Sequence, residues 1–159
     1  MQGIPSPSSQ LGILPRVFDH LFESMAAAEG IKYLIFASYL EIYNEEIRDL
    51  LSADYKRKLE LKENASGVYV AQLSQHAVHD VASCQALMEA GWKNRAVGAT
   101  LMNADSSRSH SIFSLSVEMM ETAIVQTGGG APPIRRGKLN LVDLAGSERQ
   151  SKTGLSLFH

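Results

Sequence analysis

At 159 residues the chain has room for one domain, and about two-thirds of the unfolded surface can be buried at that size. Its 45% hydrophobic and 20% charged residues are ordinary for a soluble globular protein. Its net charge of −2 argues against binding to nucleic acid or anionic lipid that is driven by overall charge. One cysteine, Cys84, excludes an internal disulfide framework. No apolar run approaches the ~20 residues that span a bilayer. These features predict a cytoplasmic protein without membrane insertion.

The N-terminal third is predicted to contain a loop, a helix and a long strand. Residues 3–15 are rich in Gly, Pro and Ser and predict a surface loop. Apolar residues then recur at three- and four-residue spacing, which predicts a helix from Pro15 that ends at Gly30. The segment 32–43, KYLIFASYLEIY, is too continuously apolar for a half-exposed strand, so we expect a central strand covered on both faces. Asn44–Leu51 is predicted to form a short helical segment, with Ile47, Leu50 and Leu51 on one side.

The middle third is predicted to contain short strands followed by a second helix. Strands are expected at Leu59–Leu61, Val68–Leu73 and Ala77–Val78, with a turn at 64–67. Asp80 or Ser83 can cap a helix that runs to about Val97. The apolar stripe of this helix comprises Val81, Cys84, Leu87, Met88 and Trp92.

The last third is predicted to form a hairpin. Residues 110–120 alternate apolar and polar side chains, and Lys138–Leu144 forms a second apolar run. The segment between them, 123–136, is rich in Gly and Pro and is expected to be a loop. Because strands alternate with helices along the chain, the predicted fold class is α/β, with a mixed central sheet and flanking helices.

The segment Leu141–Glu148, LVDLAGSE, carries the strongest local signal. An apolar strand that ends in Asp143 directs a carboxylate toward the water shell of a metal ion, and Gly146 lets a backbone N–H approach a terminal phosphate without a Cβ clash. The arrangement suits a Mg–nucleotide site. The same pattern also ends many strands as a plain turn, so this motif alone leaves both interpretations open.

A second polar motif, Asn103–His110 (NADSSRSH), lies just before a predicted strand. Its serines, asparagine and arginine suit a loop around an anion and a hard cation, since hydroxyls bind Mg²⁺ and Arg108 can pair with a carboxylate. By composition alone, a solvated serine-rich loop is the simpler interpretation.

Together the two motifs resemble switch I and switch II of the kinesin motor domain. SYLEIYNEEIRDLL (38–51) also resembles the strand-and-helix signature of that family, and GWKNRAVGAT (91–100) resembles the end of the helix that leads into switch I. The nearest branch by resemblance is that of the homodimeric intraflagellar-transport kinesins. The resemblance implies a partial kinesin-type P-loop NTPase fold over residues 1–154, after the phosphate loop and through switch II, and a divergent tail at 155–159.

The resemblance also implies roles for the motif residues in binding metal and phosphate. Ser107 would ligate Mg²⁺ directly, and Asp143 would hold it through water. Asn103 and Ser106 would contact the γ-phosphate region and the attacking water, while Gly146 would sense the γ-phosphate through its amide.

Arg108 and Glu148 are implied to form the ion pair that closes between the switches, and loss of the γ-phosphate would release it. The implied cofactors are ATP and Mg²⁺, and the implied activity is ATP hydrolysis coupled to movement along microtubules. The parent protein would be a homodimer with a coiled coil, located on the cytoplasmic cytoskeleton and in the cilium, with tubulin and not nucleic acid as its partner.

One part of the family's site does not occur in the sequence. No G-x-x-x-x-G-K-[ST] pattern is present, and Gly137-Lys138 is followed by Leu139 where a hydroxyl is needed. By resemblance that loop would end just before Met1, so ATP hydrolysis by this chain is left open, and a non-catalytic truncated or splice-derived fragment that at most binds a partner is the alternative. A GTP-binding switch protein is a further alternative, although no N-K-x-D guanine motif appears. The usual neighbour of strand 138–144 would also precede Met1, so we expect this strand to be a sheet edge prone to association.

Other polar residues suggest a metal site, a catalytic triad or a tubulin contact, but the sequence does not favour these interpretations. His76, His79 and Asp80 suggest a metal site, but solvated loop histidines are favoured because positions i and i+3 of a strand face opposite ways. A triad that uses His110 would need a G-x-S-x-G elbow, which does not occur. The basic run 56–58 suits an acidic tubulin surface or a solvated turn equally well.

Overall fold

The computed structural model describes residues 3, 10–101, 108–122 and 133–146. In this part of the chain, two helices and eight strands follow one another. In chain order they are α1 Ile13–Ala26, β1 Ile31–Tyr43, β2 Glu46–Asp49, β3 Lys58–Leu59, β4 Leu61–Asn64, β5 Gly67–Val70, β6 His76–Val78, α2 Val81–Leu101, β7 His110–Glu121 and β8 Ile134–Asp143. The predicted α/β fold with flanking helices is confirmed.

The main sheet is built around two long strands, β1 and β7. Its strand order is β3-β2-β1-β7-β8, with β6 pairing with β1 beyond the end of β2. The described strand pairs are antiparallel, and β4 and β5 form a separate two-stranded hairpin. The predicted hairpin of β7 and β8 is confirmed, and β8 is the last strand of the sheet within the described residues. It begins at Ile134, four residues before the predicted start.

The core lies between one face of this sheet and the two helices. Phe18 of α1 is fully buried and contacts Phe113 of β7 at 5.3 Å between ring centroids, and Tyr39 of β1 contacts Phe113 at 5.4 Å. Cys84 and Met88 of α2 join the same cluster. Core residues of β1, β7 and β8 sit at odd positions, which project from one face of a sheet: Ile35, Ala37, Tyr39, Phe113, Leu115 and Leu141.

The prediction that β1 is covered on both faces is correct for only part of the strand. Tyr39, Leu40 and Glu41 are all buried, so both faces are covered there. Toward the start of the strand, Lys32 and Leu34 are exposed. Because the core helices pack on the opposite face, these side chains remain uncovered within the described residues.

The predicted helical segment at Asn44–Leu51 is wrong, because the chain turns sharply and returns as β2. Asn44 and Glu45 have positive φ angles of 49° and 63°, the backbone of a two-residue type I′ turn. Asparagine tolerates this conformation, whereas for Glu45 it costs about 1 kcal/mol. The three-residue spacing of Ile47 and Leu50 imitates a helix, but Ile47 pairs with Ile42 across the hairpin.

The turn of the second hairpin and the start of the second helix are as predicted. The predicted strand Leu59–Leu61 is wrong, because the structure has two strands there, β3 and β4, and β5 ends at Val70 instead of Leu73. The amide of Ser66 donates to Oδ1 of Asn64 at 2.8 Å, which stabilises the turn between β4 and β5. At the start of α2, the Ser83 amide donates to Oδ1 of Asp80 at 2.7 Å, and the Asp80 amide donates to the Ser83 hydroxyl at 3.2 Å. This reciprocal arrangement is a capping box. It lowers the pKa of Asp80, first through the backbone bond from Ser83 and then through the Ser83 hydroxyl.

The prediction that Trp92 belongs to the core is wrong, since the residue is 52% exposed. The buried position is taken by Gly91, because Cys84, Met88, Gly91 and Arg95 recur at four- and three-residue spacing along one face of α2. Trp92 directly follows Gly91, so its side chain projects from a different side of the helix.

Neither a metal cluster nor a membrane-spanning helix occurs in the described part of the chain. No group of three or more His, Cys, Asp or Glu side chains there could hold a metal ion, and the ring of His76 contacts the hydroxyl of Ser74 at 3.0 Å. No described helix is long and apolar enough to cross a membrane.

Candidate functional site

The antiparallel pairing of β7 with β8 brings the described parts of the two polar motifs, residues 108–110 and 141–146, to one end of the sheet. Ser111, the second residue of β7, pairs with Asp143, the last residue of β8. The loop that precedes β7 and the loop that follows β8 therefore leave the sheet side by side.

A row of three polar side chains crosses the sheet at this end. Glu41 of β1 pairs with Ser111 of β7, and Ser111 pairs with Asp143 of β8. All three sit on the helix-covered face, one step beyond the apolar positions Tyr39 and Phe113. The row is where the apolar core ends.

The guanidinium of Arg95, from α2, contacts every member of this row. Its Nε donates to Glu41 Oε1 at 3.3 Å, and its Nη1 donates to the Ser111 hydroxyl at 3.2 Å and to Asp143 Oδ2 at 3.1 Å. Its Nη2 donates to the carbonyl oxygen and the hydroxyl of Ser109 at 3.1 and 3.0 Å. Arg95 is only 8% exposed. It therefore binds the residues at the base of both motifs from a buried position.

A second contact joins the two loop bases directly. The backbone N–H of Ala145 donates to Nδ1 of His110 at 3.0 Å. Because Nδ1 accepts this bond, the proton of the neutral imidazole lies on Nε2. His110 thus holds the start of the segment after β8 against the start of β7.

Tyr39, which packs against Gly91 of α2, lines a cleft beside the row. A Cβ on Gly91 would lie 2.2 Å from Cδ1 of Tyr39, so only glycine allows α2 to approach the ring. Burial raises the pKa of Tyr39, against the opposing effects of its hydrogen bond to Ser111 and of the Arg95 charge. The cleft has a volume of about 190 Å³, and its walls include Tyr39, Trp92, Arg95, Ser111 and Asp143.

Comparison with known proteins decides the family. The kinesin motor domain model matches residues 1–157. The chain belongs to the kinesin motor domain family. It is 50% identical over 156 residues to the kinesin-like protein klp-20 of Caenorhabditis elegans and 48% identical over 155 residues to the kinesin-like protein KIF3C of Bos taurus, in each case over 97% of this chain.

A solved structure supports the same kinesin assignment at the level of the fold. The chain matches a fast kinesin, described for its ATPase mechanism and its interactions with microtubules, with a TM-score of 0.82 and 40% identity. The match covers 98% of this chain and 43% of that chain, while the alignments to klp-20 and KIF3C span 23% and 19% of those proteins. The chain thus spans less than half the length of each of these relatives.

The structure describes three of the seven site residues predicted for this kinesin segment. Asp143 ends β8 and pairs with Arg95, Gly146 is exposed three residues later, and Arg108 is exposed just before β7. The other four, Asn103, Ser106, Ser107 and Glu148, lie outside the described residues. Their roles, including the Arg108–Glu148 pair, stay predictions.

Arg95 is the principal site residue that sequence reasoning missed. The stripe predicted for α2 comprises apolar residues alone, whereas Arg95 continues the buried spacing with a charge. A charged residue at a buried helix position must be paired, so its spacing was the available signal.

The oxygen atoms described at this site are suited to bind a hydrated Mg²⁺ ion. The Asp143 carboxylate stands at the end of a strand with its side chain 43% exposed, so it is open to a metal's water shell. Carboxylate and hydroxyl oxygens are the ligands that Mg²⁺ prefers, and Mg²⁺ usually keeps several waters. The thiol of Cys84 lies in the apolar core, where burial raises its pKa to about 11.

Proposed function

We propose that this chain is part of an ATP-hydrolysing microtubule motor domain, and that its segments 103–110 and 143–148 are the nucleotide-sensing loops. One observation carries the proposal: the pairing of Ser111 with Asp143 brings the bases of both segments together, and Arg95 contacts both. Loops that report the same phosphate must leave the fold at the same place. Membership of the kinesin motor domain family supports ATP and Mg²⁺ as the cofactors.

In this mechanism the residues of the chain position groups and stabilise charge. Mg²⁺ bound to ATP would neutralise charge that develops on the phosphates during in-line transfer to water. Ser107 and Asp143 would hold that ion, the latter through water, while Asn103 and Ser106 orient the attacking water. The Gly146 amide would donate a hydrogen bond toward the γ-phosphate, for which its exposed backbone is suited.

Arg108 and Glu148 would close the site as an ion pair between the two loops. Both segments are anchored at their bases, so a change at the phosphate would reach the sheet through Ser109 and Ala145. An order-to-disorder change of such loops can alter the affinity of a motor for its track. The proposed partner is the microtubule, the proposed location the cytoskeleton and the cilium, and the proposed parent assembly a homodimer.

The test is a double-mutant cycle in a complete motor domain that contains residues 1–159. Arg108→Ala and Glu148→Ala should each abolish microtubule-stimulated ATP turnover while nucleotide binding is largely kept. The double variant should lose little more turnover than either single variant, since the effects of two residues that act as one ion pair are strongly non-additive.

Matched controls come from the far ends of β7 and β8. Glu118→Ala and Arg136→Ala remove an exposed pair of the same chemical kind and should leave turnover near the starting value. Losses in log rate that add in the Arg108–Glu148 cycle would show that the two residues act separately.

A non-catalytic polypeptide is the second candidate, favoured by one observation on the sequence. Within the 159 residues no G-x-x-x-x-G-K-[ST] loop occurs, so no lysine or hydroxyl of that motif is available to bind phosphate. Purified as these 159 residues, the polypeptide should show no ATPase with or without microtubules. Microtubule-stimulated turnover above that of a Glu148→Ala variant would contradict this expectation.

A further inference from the structure

Strand β8 is one edge of the main sheet within the described residues, and most of it is exposed. Of its ten residues, only Leu141 is buried, while residues 134–140 and Val142 are exposed. The opposite edge of the described sheet, β3, has two residues. A long exposed edge presents a row of unpaired N–H and C=O groups to another strand, whereas a very short edge does not. β8 is therefore well suited to accept a further strand.

The charges of β8 are complementary to those of the same strand when it is reversed. The strand is basic at its start and acidic at its end, with Arg135, Arg136, Lys138 and Asp143. Two antiparallel copies bring the basic start of each strand beside the acidic end of the other, whereas two parallel copies in register place like charges side by side. Opposite charges across a strand pair stabilise it, and like charges destabilise it. The charges therefore favour an antiparallel pair of two identical strands.

Backbone geometry restricts the register of such a pair. Neighbouring residues of a strand direct their N–H and C=O groups to opposite sides, and their side chains to opposite faces, so an odd-numbered residue must lie opposite an odd-numbered one. In a symmetric pair, one residue then lies on the twofold axis, directly opposite its own copy. Lys138 and Leu139 are the two central residues of the ten in β8, so an axis at either of them pairs almost the whole strand.

An axis at Lys138 is the less favourable of the two. It places two lysine side chains directly opposite each other, and like charges in that position destabilise a strand pair. It also places Arg135 opposite Leu141, so this arginine gains no carboxylate from the second copy.

An axis at Leu139 matches both the charges and the exposed apolar residues. It places Arg135 of one copy opposite Asp143 of the other, and exposed Ile134 opposite exposed Leu144, which directly follows β8. Each of these pairs occurs twice by symmetry. We propose that the polypeptide of 159 residues forms a symmetric dimer in which two copies of β8 pair antiparallel, with Leu139 on the twofold axis. The dimer is closed, because the pairing uses the long edge of both copies and leaves only β3 at each outer end.

The helices leave room for this pairing. α1 lies over β7 where Phe18 contacts Phe113, so the two copies of α1 lie roughly 14 Å apart there, three strand spacings. Packed helices need only about 8–10 Å. An apolar groove of about 370 Å³ also lies between α1 and β8, and its walls include Met25, Val117 and Leu139. The second copy adds its own Leu139 beside this groove, so the dimer covers apolar surface that is open in the single chain.

Disulfide crosslinking tests the register. Leu139→Cys places a thiol opposite its own copy, with the Cα atoms about 4.5–5.5 Å apart, a distance that a disulfide can bridge. Lys138→Cys is the matched control, because it lies opposite residue 140 of the other copy, and its own copy is then about 7–8 Å away. The natural thiol of Cys84 is buried and its pKa is raised to about 11, so it reacts slowly.

The purified polypeptide of 159 residues is treated with a mild oxidant, and the covalent dimer is followed over time. Leu139→Cys should form it about tenfold faster or more than Lys138→Cys does. Faster crosslinking of Lys138→Cys would overturn the proposed register. Equally slow crosslinking of both variants, or assemblies larger than a dimer without a Leu139→Cys crosslink, would overturn the pairing through β8.

A second pair of variants tests the charges without any new thiol. Arg135→Glu places a carboxylate opposite Asp143 at two symmetric positions, so the dissociation constant of the dimer should rise about tenfold. Arg136→Glu is the matched control, since both arginines have exposed glutamate partners in their own chain, but residue 136 lies opposite Val142 of the other copy. Its dissociation constant should stay within about threefold of the starting value.

Sedimentation equilibrium of the three proteins measures these constants. Equal effects of Arg135→Glu and Arg136→Glu would overturn the register, and a wild-type polypeptide that is monomeric at every concentration would overturn the dimer. Neither result bears on the proposed function, which concerns the opposite use of the chain, as part of a complete motor domain.

Discussion

The two ends of the β7–β8 hairpin use the same kinds of residue for opposite purposes. At one end, Arg95 contacts Glu41 and Asp143 in a nearly buried setting. At the other, Arg136 contacts Glu118 at 2.8 Å, a shorter distance, but the Arg136 side chain is 71% exposed. Burial, and not distance, decides the energetic consequence, because an exposed pair is screened by water and a buried charge has no solvent to replace a lost partner.

The difference in burial also explains why the Arg95 end of the hairpin is suited to hold a functional site. A guanidinium that is bound on three sides holds its neighbours in one geometry, whereas an exposed pair can break and reform at little cost. We therefore expect substitutions at the Arg95 end to change stability and loop position together, and those at the Arg136 end to have little effect on stability and none on loop position. Two predictions test this contrast directly, and two further ones concern the edge of β8 and the start of α2, in order of decreasing expected effect.

The largest effect is expected from loss of the buried arginine. Arg95→Met should lower the free energy of unfolding by about 3 kcal/mol, because Glu41 is left buried without a counter-charge. Arg136→Met should lower it by only about 0.5 kcal/mol. Denaturant unfolding of both variants in the same motor domain measures the difference, and equal losses would show that burial is not the deciding factor.

The next effect comes from adding a methyl group at each end. Gly91→Ala places a Cβ against the ring of Tyr39, and the overpacking should exceed the gain of about 1 kcal/mol in helix propensity, for a net loss of about 1–2 kcal/mol. Gly137→Ala, in β8, meets nothing within 4 Å and should fall within about 0.5 kcal/mol of the starting protein. A Gly91→Ala protein as stable as the Gly137→Ala protein would mean that α2 moves away without cost.

A third prediction concerns the edge formed by β8. This strand is the last one of the described sheet, and Leu139 and Val142 are exposed on it, so another chain can pair with it. Val142→Lys should reduce concentration-dependent association of the 159-residue polypeptide, measured by size-exclusion chromatography with light scattering. Val68→Lys makes the same substitution on the separate β4–β5 hairpin and should reduce it less. A sharp monomer at every concentration before any substitution would contradict the prediction.

The smallest effect is expected at the start of α2, far from both arginines. Hydrogen bonds from Ser83 lower the pKa of Asp80 below its usual 3.8. The charged cap is therefore more stabilising than a neutral one above that pH, and its contribution is lost as the pH falls through the lowered value. The difference in Tm between the wild type and Asp80→Asn should shrink as the pH is lowered from about 5 to about 2.5. A difference that is constant over this range would show that the charge has no part in the cap.

The sequence was sufficient where one local rule acted alone. Alternating side chains predicted β7, and Asp80 was one of the two residues predicted to cap α2. It failed at Asn44-Glu45, where the apolar spacing suited a helix but positive φ angles produced a turn. It failed again on α2, because the burial of Gly91 and Arg95 depends on tertiary partners that are distant in the sequence. The cross-strand row that Arg95 binds depends on register, which a single sequence does not specify.

Amide hydrogen exchange at Ala145 and at Ser109–Ser111 tests most directly whether Arg95 joins the two loop bases into one unit. In a complete motor domain that contains residues 1–159, Arg95→Met should accelerate exchange at both places together, by about tenfold or more, because local opening follows the loss of buried contacts. Amides near Glu118 should keep their protection, and Arg136→Met should change neither loop base. If the Ala145 amide keeps its protection while Ser109–Ser111 lose theirs, the two loop bases are independent, and Arg95 does not join them.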